Sequence, residues 1–256
     1  MPEKVILALV DGMRPDAFAQ CGHPFARALT ERSAWSMRAQ TVFPSVTLPC
    51  HMSLFHSVDP QRHGILTNTY VPQARPLEGR FDRLRACGKR TGFFYTWEPL
   101  RDLGRPGSLT VSTLMKLSAY PGCDARIADA AIDGLRRDEI DFLFLYRGDV
   151  DECGHKNGWM SAPYLDCVRK ALDALERVYA ALPENAAFIL TADHGGHARL
   201  HGSTEPEDMT IPLLLSGPRF TPGELREAPS IKDIPVTVAA LLDVPAPDEW
   251  EGRSLI

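Results

Sequence analysis

Short apolar runs without alternation recur along the chain and are its clearest pattern. A strand that is buried on both faces of a parallel sheet is continuously apolar, whereas a half-exposed strand alternates. The runs therefore predict the strands of a mostly parallel central sheet. They lie at residues 4–10, 92–97, 140–146, 187–191 and 211–216, and a further extended segment is predicted at 35–43.

Segments with the apolar spacing of helices separate these runs. They lie at residues 15–21, 25–33, 81–90, 123–137, 164–182 and 234–242. Alternating strands and helices are typical of α/β proteins. The predicted fold class is therefore α/β, with a mostly parallel central sheet flanked by helices on both faces. Residues 99–107 carry Pro and Gly and are expected to form a surface excursion.

The composition restricts the class of protein. The chain has 256 residues, enough for one large domain or two small ones, and we expect a single domain over residues 1–256. A net charge of −5 without long Lys or Arg runs argues against nucleic acid or a membrane surface as the main partner. The apolar run before Asp11 is too short for a signal peptide or a membrane span, so a cytoplasmic location is expected unless a leader has been removed. The six cysteines are scattered and are expected to be reduced.

Acidic residues and histidines directly follow three of the strongest apolar runs. These residues are Asp11 after the first run, Asp151 and His155 after the run at 140–146, and Asp193, His194, His197 and His201 after the run at 187–191. Ligands of open parallel sheets collect at the carboxyl ends of the strands. A single Asp-Gly or Asp-His pair is also common in an ordinary polar turn. The three segments together favour a polynuclear metal centre, because Asp oxygens and neutral imidazole nitrogens suit zinc and similar ions.

A strand-to-helix junction at residues 44–55 contains a candidate nucleophile. Pro49 suits the first turn of a helix, which places Thr47 near the N-terminus of that helix. Free N–H groups and the helix dipole favour an anion at that position. Thr47 is also compatible with an ordinary N-cap role. The loop at 59–69 follows, with His63, Gly64, Ile65 and Asn68.

In their order along the chain, these segments resemble the alkaline phosphatase superfamily, specifically its nucleotide pyrophosphatase/phosphodiesterase branch. The resemblance covers almost the whole chain and implies an alkaline-phosphatase-like catalytic domain. It is carried by Asp11-Gly12-Met13-Arg14, the segment from Pro44 to His51, His63-Gly64-Ile65 with Asn68, Asp151 with Gly154-His155, Asp193-His194-Gly195, His201-Gly202, the segment from Ile231 to Thr237, and the segment from Glu251 to Leu255.

The resemblance implies two divalent metal ions, taken to be zinc, beside a small phosphoester substrate. One ion would be held by Asp151, His155 and His201, and the other by Asp11, Asp193, His194 and the oxygen of Thr47. Thr47 would attack phosphorus to give a phosphothreonine, and Asn68 would contact the phosphoryl group. We interpret His197 as an exposed loop histidine rather than a ligand. The resemblance does not distinguish zinc from manganese, and the oligomeric state is not indicated.

Several functions are compatible with these residues. A phosphodiesterase or nucleotide pyrophosphatase is favoured because Asn68, rather than an Arg clamp suited to monoesters, occupies the phosphoryl-binding loop. A phosphomonoesterase, a phosphonoacetate-type hydrolase and a non-catalytic, metal-stabilised binding protein are the alternatives. Leu48 stands where nucleotide-cleaving relatives often have an aromatic residue. Tyr70, Trp97 and Trp159 are interpreted as partly buried core residues rather than walls of a leaving-group pocket.

Overall fold

The computed structural model describes residues 4–73, 75–117, 122–137 and 139–256. Within these ranges the strands form one eight-stranded sheet in the order β4-β3-β5-β1-β6-β7-β2-β8. Only β7 runs against its neighbours in this described sheet, so the prediction of a mostly parallel sheet is confirmed. The strands are β1 (Val5–Val10), β2 (Ala34–Gln40), β3 (Thr91–Tyr95), β4 (Val111–Leu114), β5 (Phe142–Arg147), β6 (Ala187–Thr191), β7 (Thr210–Ser216) and β8 (Gly223–Glu224).

Helices cover both faces of the sheet, as predicted. They are α1 (Pro15–Gln20), α2 (Pro24–Glu31), α3 (Thr47–His56), α4 (Pro60–His63), α5 (Arg80–Ala86), α6 (Cys123–Arg137), α7 (Asp149–Asn157), α8 (Ala162–Ala180), α9 (Pro206–Met209) and α10 (Asp233–Leu241), with a 3-10 helix at Glu98–Leu103. Successive residues of a strand point to opposite faces of the sheet, so neighbouring residues of β3 contact helices on both faces. Phe93 contacts Phe55 of α3 and Phe81 of α5. Phe94 instead lies against α6, where a Cβ at Gly134 would come within 2.5 Å of its ring.

The three strands with the clearest apolar runs lie side by side at the centre of the sheet. Every residue of β1, β5 and β6 is buried. Burial of a Val, Leu, Ile or Phe side chain stabilises a fold by roughly 1.5–3 kcal/mol, so these strands contribute much of the core. Because they are parallel neighbours, their carboxyl ends meet at one edge of the sheet.

The expectation of a surface excursion at residues 99–107 is wrong for its first half. The 3-10 helix there buries Leu100 and Leu103 against the core. Residues three apart lie on the same side of a 3-10 helix, and Pro is tolerated in its first turn, so a Pro-bearing segment can still bury two leucines. The edge strand β4 was not predicted, because its four residues alternate between partial and full exposure.

Two further features of the described chain concern its cysteines and the length of its helices. Each of the six cysteines, all of which lie in the described ranges, is a free thiol. None of the helices in the described part of the chain is long and apolar enough to cross a membrane.

The buried His56 of α3 is expected to make the protein sensitive to acid. Burial, with the positive charges of Arg105 and Arg80, lowers the pKa of His56 to about 4. The unfolded chain takes up this proton near pH 6.5 and the folded chain does not, so stability is lost as pH falls from 6.5 towards 4. At pH 5, the proton uptake of His56 in the unfolded chain lowers the free energy of unfolding by about 2 kcal/mol.

The measurement is chemical denaturation of chelator-treated protein at pH 7 and pH 5. We expect the His56→Gln variant to lose about 2 kcal/mol less than the wild type between the two pH values. From pH 7 to pH 8 the two curves should run in parallel, because His56 is neutral in both the folded and the unfolded state. Equal losses at pH 5 would contradict the prediction.

Candidate metal centre

The sheet brings the sequence-predicted metal ligands to one edge. Leu9 of β1 pairs with Thr191 of β6, and continuing this register by two residues places Asp11 opposite Asp193. On the other side of β1, β5 leads directly into α7, which carries Asp151 and His155. The strand β2 ends at the same edge and leads to Thr47, the first residue of α3.

Among the described residues, two groups of side chains could hold a metal ion. The inner group is Asp11, Asp193 and His194, and all three are buried. The outer group is Asp151, His155 and His201, and it opens towards solvent through His155, whose side chain is 42% exposed. In each group the ligand atoms lie within 4.8 Å of one another. The two groups touch, because the rings of His194 and His201 stack with centroids 3.8 Å apart.

The inner group has the spacing of a tetrahedral zinc site. Nε2 of His194 lies 3.3 Å from Oδ1 of Asp11 and 3.5 Å from Oδ2 of Asp193. Oγ1 of Thr47 lies 3.3 Å from the same nitrogen. Zinc bonds of about 2.0–2.1 Å in a tetrahedron put ligand atoms about 3.3–3.4 Å apart. The oxygen of Thr47 therefore lies where a fourth ligand atom of the inner group would be, beside two carboxylate oxygens and one imidazole nitrogen.

Hydrogen bonds orient all three histidines of the two groups in the same way. Nδ1 of His194 donates to the carbonyl of Gly195, that of His155 to Arg199, and that of His201 to Ser45, at 2.8, 2.9 and 2.9 Å. A carbonyl only accepts, so in each ring Nδ1 carries a proton, and whenever the ring is neutral Nε2 offers a lone pair. Such backbone partners fix the tautomer that binds a metal.

Three buried carboxylate oxygens of the two groups would be stabilised by a nearby positive charge. Oδ1 of Asp11, Oδ1 of Asp151 and Oδ2 of Asp193 have no hydrogen-bond partner among the described residues. Burial, together with the charges of Asp193 and Asp151, raises the pKa of Asp11 well above its usual value. A cation between these oxygens would offset the repulsion between the carboxylates. It would also take the place of the hydrogen bonds that these oxygens lack. The residues therefore fit divalent metal ions.

The outer histidines differ in protonation. A hydrogen bond to Asp151 raises the pKa of His155 to about 9. Burial, and the neighbouring His194, lower the pKa of His201 to about 4. His155 must lose its proton before Nε2 can bind a metal, so metal affinity at the outer group is expected to fall as the pH drops below about 9.

The start of α3 presents Thr47 to the inner group. The hydroxyl of Thr47 donates to Nε2 of His194, and its carbonyl accepts from Nδ1 of His51 at 2.8 Å. Oδ1 of Asn68 accepts from the N–H of Leu48 at 2.9 Å, which holds the Asn68 loop against this helix end. The side chain of Leu48 is buried, so it is not exposed to stack on a substrate base.

Two further residues near the centre, Tyr146 and Asp208, were not predicted from the sequence. Tyr146 donates its hydroxyl proton to Oδ2 of Asp11. Asp208 accepts from His197 Nδ1 at 2.7 Å and, through its other oxygen, from the N–H and hydroxyl of Ser203. Burial alone would raise the pKa of Asp208, but these hydrogen bonds lower it. His197 thus pairs with Asp208 outside the two groups. Asp208 lies in no recognisable motif, whereas Tyr146 at the end of a strand offered a weak signal.

Two family models match the chain. The model described as type I phosphodiesterase/nucleotide pyrophosphatase matches residues 5–86, which include Asp11, Thr47 and Asn68. The model described as the metalloenzyme superfamily matches residues 112–246, more than half of the chain, and includes the ligands from Asp151 to His201.

The curated relatives of the chain include two kinds of mutase. The chain is 32% identical over 175 residues to a phosphopentomutase of Methylorubrum extorquens. The aligned segment covers 67% of this chain and 40% of the relative. The chain is also 29% identical over 151 residues to a 2,3-bisphosphoglycerate-independent phosphoglycerate mutase of Moorella thermoacetica. This aligned segment covers 55% of this chain and 28% of the relative. The chain thus spans about a quarter to two fifths of the length of these relatives.

Solved structures share the fold over nearly the whole chain. Murine ectonucleotide pyrophosphatase/phosphodiesterase 5, an inactive threonine-to-alanine variant in complex with AMP, superposes with a TM-score of 0.82 at 16% identity and covers 96% of both chains. A phosphonate monoester hydrolase from Silicibacter pomeroyi gives a TM-score of 0.79 at 16% identity, covering 99% of this chain and 76% of the other. At these identities the likeness shows the fold alone.

Proposed function

The chain belongs to the alkaline phosphatase superfamily of metalloenzymes, and from this membership we propose that it is a metal-dependent phosphoester hydrolase of the phosphodiesterase or nucleotide pyrophosphatase type, with Thr47 as nucleophile. The observation that carries the proposal is the position of the Thr47 hydroxyl, 3.3 Å from His194 Nε2 within the inner group. An inactive threonine variant in the structurally similar murine phosphodiesterase supports the same role for a threonine here.

Two divalent ions, proposed to be zinc, would be held by the inner and outer groups. When bound, such ions supply positive charge that favours ionisation of the Thr47 hydroxyl and neutralises phosphoryl and leaving oxygens. The inner group would contribute Asp11, Asp193, His194 and Thr47, and the outer group Asp151, His155 and His201. The exposure of the outer group supports substrate entry from that side.

The reaction would proceed in two displacements. Thr47 Oγ1 forms a bond to phosphorus while the bond from phosphorus to the ester oxygen breaks in line; overall the hydroxyl proton passes to the leaving oxygen, and a phosphothreonine remains. Water then attacks phosphorus as the bond to Thr47 Oγ1 breaks, a proton of this water restores the Thr47 hydroxyl, and the two inversions retain configuration. The N-terminus of α3 favours negative charge on the phosphoryl oxygens. The side-chain carbonyl oxygen of Asn68 accepts a hydrogen bond from the N–H of Leu48. No described residue accepts from the side-chain amide N–H groups of Asn68, so these can donate to the phosphoryl group.

A diester fits the charge of this centre better than a monoester. Two divalent ions bring four positive charges, and the carboxylates of Asp11, Asp151 and Asp193 balance three of them. While the Thr47 hydroxyl keeps its proton, the remaining positive charge matches the single negative charge of a bound diester, whereas a monoester carries roughly −1.5 to −2. In the described part of the chain, no Lys or Arg is hydrogen-bonded or ion-paired with Thr47, Leu48 or Asn68 to balance the additional charge.

The test is hydrolysis of bis-p-nitrophenyl phosphate beside p-nitrophenyl phosphate with added zinc. We expect kcat/KM to be at least ~10-fold higher for the diester, a difference of about 1.4 kcal/mol in transition-state stabilisation. A clear preference for the monoester would reject the diester assignment, and a preference for phosphonoacetate would favour a C–P hydrolase instead. Heat-denatured protein with the same zinc concentration is the control for free-metal hydrolysis.

A mutase is the second candidate, because a phosphopentomutase is 32% identical over 175 residues. The same Thr47 attack would then be followed by return of the phosphoryl group to another hydroxyl of the sugar rather than to water. Incubation with a pentose phosphate distinguishes the two reactions. An isomerised phosphate without inorganic phosphate would favour the mutase, and release of inorganic phosphate would favour the hydrolase.

We also propose that residues 1–256 act as one catalytic domain on a small phosphoester in the cytoplasm. The candidate ligands of the inner group come from distant parts of the chain, since Asp11 directly follows the first strand and His194 comes shortly after the sixth. This interleaving supports a single unit rather than two separable domains.

A further inference from the structure

One indole side chain lies between the three segments that carry the metal ligands. Trp159 follows α7 and is only 7% exposed. Its backbone N–H donates to the carbonyl of Ala198 at 2.8 Å, which ties it to the loop before His201. Trp159 is expected from the sequence to be a partly buried core residue, and its burial agrees with that expectation. Its contacts show a more specific arrangement.

The first contact joins Trp159 to the turn that holds Asp11. Nε1 of Trp159 donates to the carbonyl of Gly12 at 2.9 Å, and the hydroxyl of Tyr164 donates to the same oxygen at 2.8 Å. Gly12 adopts a φ of +67°, and a Cβ there would come within 3.1 Å of the backbone of Asp151. The Asp11–Gly12 turn is therefore fixed against the outer group, with the indole as one of the two donors to the Gly12 carbonyl.

The second and third contacts are with two glycines on the other ligand segments. A Cβ at Gly154, next to His155, would lie 2.6 Å from the indole. A Cβ at Gly196, two residues after His194, would lie 2.3 Å from it. Real Cβ atoms do not approach this closely, so the backbone of both segments packs directly on the ring.

The ring also contacts two of the outer ligands. The centroid of the Trp159 ring lies 5.1 Å from that of His155 at an interplanar angle of 86°, and 6.1 Å from that of His201 at 66°. Edge-to-face contacts at such distances are favourable and restrict ring rotation. The direction of both imidazoles therefore depends on the position of the indole.

We propose that Trp159 is a positioning residue that sets the relative placement of the inner and outer groups. It acts through Gly12 on the inner group and through Gly154, His155 and His201 on the outer group. Residues that orient metal ligands typically change metal affinity by about 10–100-fold when they are substituted. The inference rests on the proposed metal sites, but not on the identity of the substrate.

The test compares Trp159→Phe with Trp250→Phe. Trp250 is a close match, because it is 8% exposed and its Nε1 donates to the carbonyl of Glu78 at 3.0 Å, away from both groups. We expect both variants to lower the denaturation midpoint of chelator-treated protein to a similar extent. Zinc affinity measured by calorimetric titration should fall at least ~10-fold in Trp159→Phe and less than ~3-fold in Trp250→Phe.

Cobalt gives a second readout that does not depend on activity. The visible absorption of bound Co²⁺ reports ligand geometry, and we expect its shape to change in Trp159→Phe and to stay unchanged in Trp250→Phe. Trp159→Leu also removes the aromatic contacts and should weaken zinc binding further than Trp159→Phe. If Trp159→Leu fails to fold, the comparison of Trp159→Phe with the wild type still tests the positioning role. Equal zinc affinity and cobalt spectra in the wild type and Trp159→Phe would overturn the positioning role. A wild type that binds neither ion would instead overturn the proposed metal sites.

Discussion

Replacement of Thr47 by alanine is expected to lower phosphoester turnover by at least ~1,000-fold while both metal ions stay bound. The reason is that the hydroxyl oxygen would form the covalent bond to phosphorus, and alanine has no atom in its place. Asp11, Asp193 and His194 remain as ligands of the inner group, and water can replace the lost oxygen. Thr47 is the first residue of α3 and its side chain caps no helix, so alanine leaves that helix intact.

The measurement combines metal analysis of purified protein with steady-state hydrolysis of the preferred ester. Thr47→Ser keeps a hydroxyl and should retain measurable turnover. Thr41→Ala is the matched control, because Thr41 is also buried near α3 and its hydroxyl donates to Cys50 Sγ at 3.2 Å rather than to a ligand. Turnover that survives in Thr47→Ala would contradict the covalent mechanism, and a function independent of this substitution would indicate a non-catalytic, metal-stabilised protein.

The central strands were predictable because their environment is uniform. β1, β5 and β6 are covered on both faces along their whole length, so burial alone makes their sequences continuously apolar. The residues just past their ends lie at one edge of the sheet whatever the order of the strands. For this reason the predicted ligands could be proposed as one centre before the strand order was known.

Elements with a mixed environment were not predictable in the same way. β4 lies at the edge of the described sheet and pairs with β3 on one side, so its residues show no continuous apolar run. The 3-10 helix at Glu98–Leu103 buries two leucines at a spacing that sequence reasoning assigned to a loop. In both cases the tertiary neighbours, which the local sequence does not reveal, decide the structure.

Supporting residues of the site were missed for a related reason. Trp159 contacts the backbone of Gly12, 147 positions away in the chain, and Asp208 contacts the backbone of Ser203 and the side chain of His197; neither residue belongs to a motif with fixed spacing. Metal ligands are recognisable by residue type, since few side chains bind divalent ions. A residue that orients a ligand can be of almost any type, so only the fold reveals it.

Asp193→Asn is expected to have opposite effects on stability without and with metal. Oδ1 of Asp193 accepts from the N–H groups of Gly12 and His194 at 3.2 and 3.0 Å, and an amide oxygen can accept the same two bonds. Oδ2 has no hydrogen-bond partner among the described residues and lies 3.5 Å from His194 Nε2. The substitution therefore removes a charge and a ligand oxygen while the turn keeps its hydrogen bonds.

In chelator, the variant should be as stable as the wild type or up to about 2 kcal/mol more stable, because the charge of Asp193 opposes ionisation of the buried Asp11. With zinc the order should reverse. A ligand at about 1,000 times its Kd stabilises the folded state by about 4 kcal/mol, and the variant should lose much of this gain at the inner group. Turnover should fall by ~100-fold or more, since the missing ligand adjoins Thr47.

Chemical denaturation with chelator and with zinc measures both effects. Asp173→Asn is the control, because the side chain of Asp173 is 68% exposed and pairs with His23 away from the centre. It should leave the zinc-induced gain in unfolding free energy unchanged. If Asp193→Asn were clearly less stable than the wild type in chelator, Asp193 would serve mainly to hold the turn at Gly12. A reversal of the order on adding zinc would instead assign the carboxylate to the metal, because only a cation converts its buried negative charge from destabilising to stabilising.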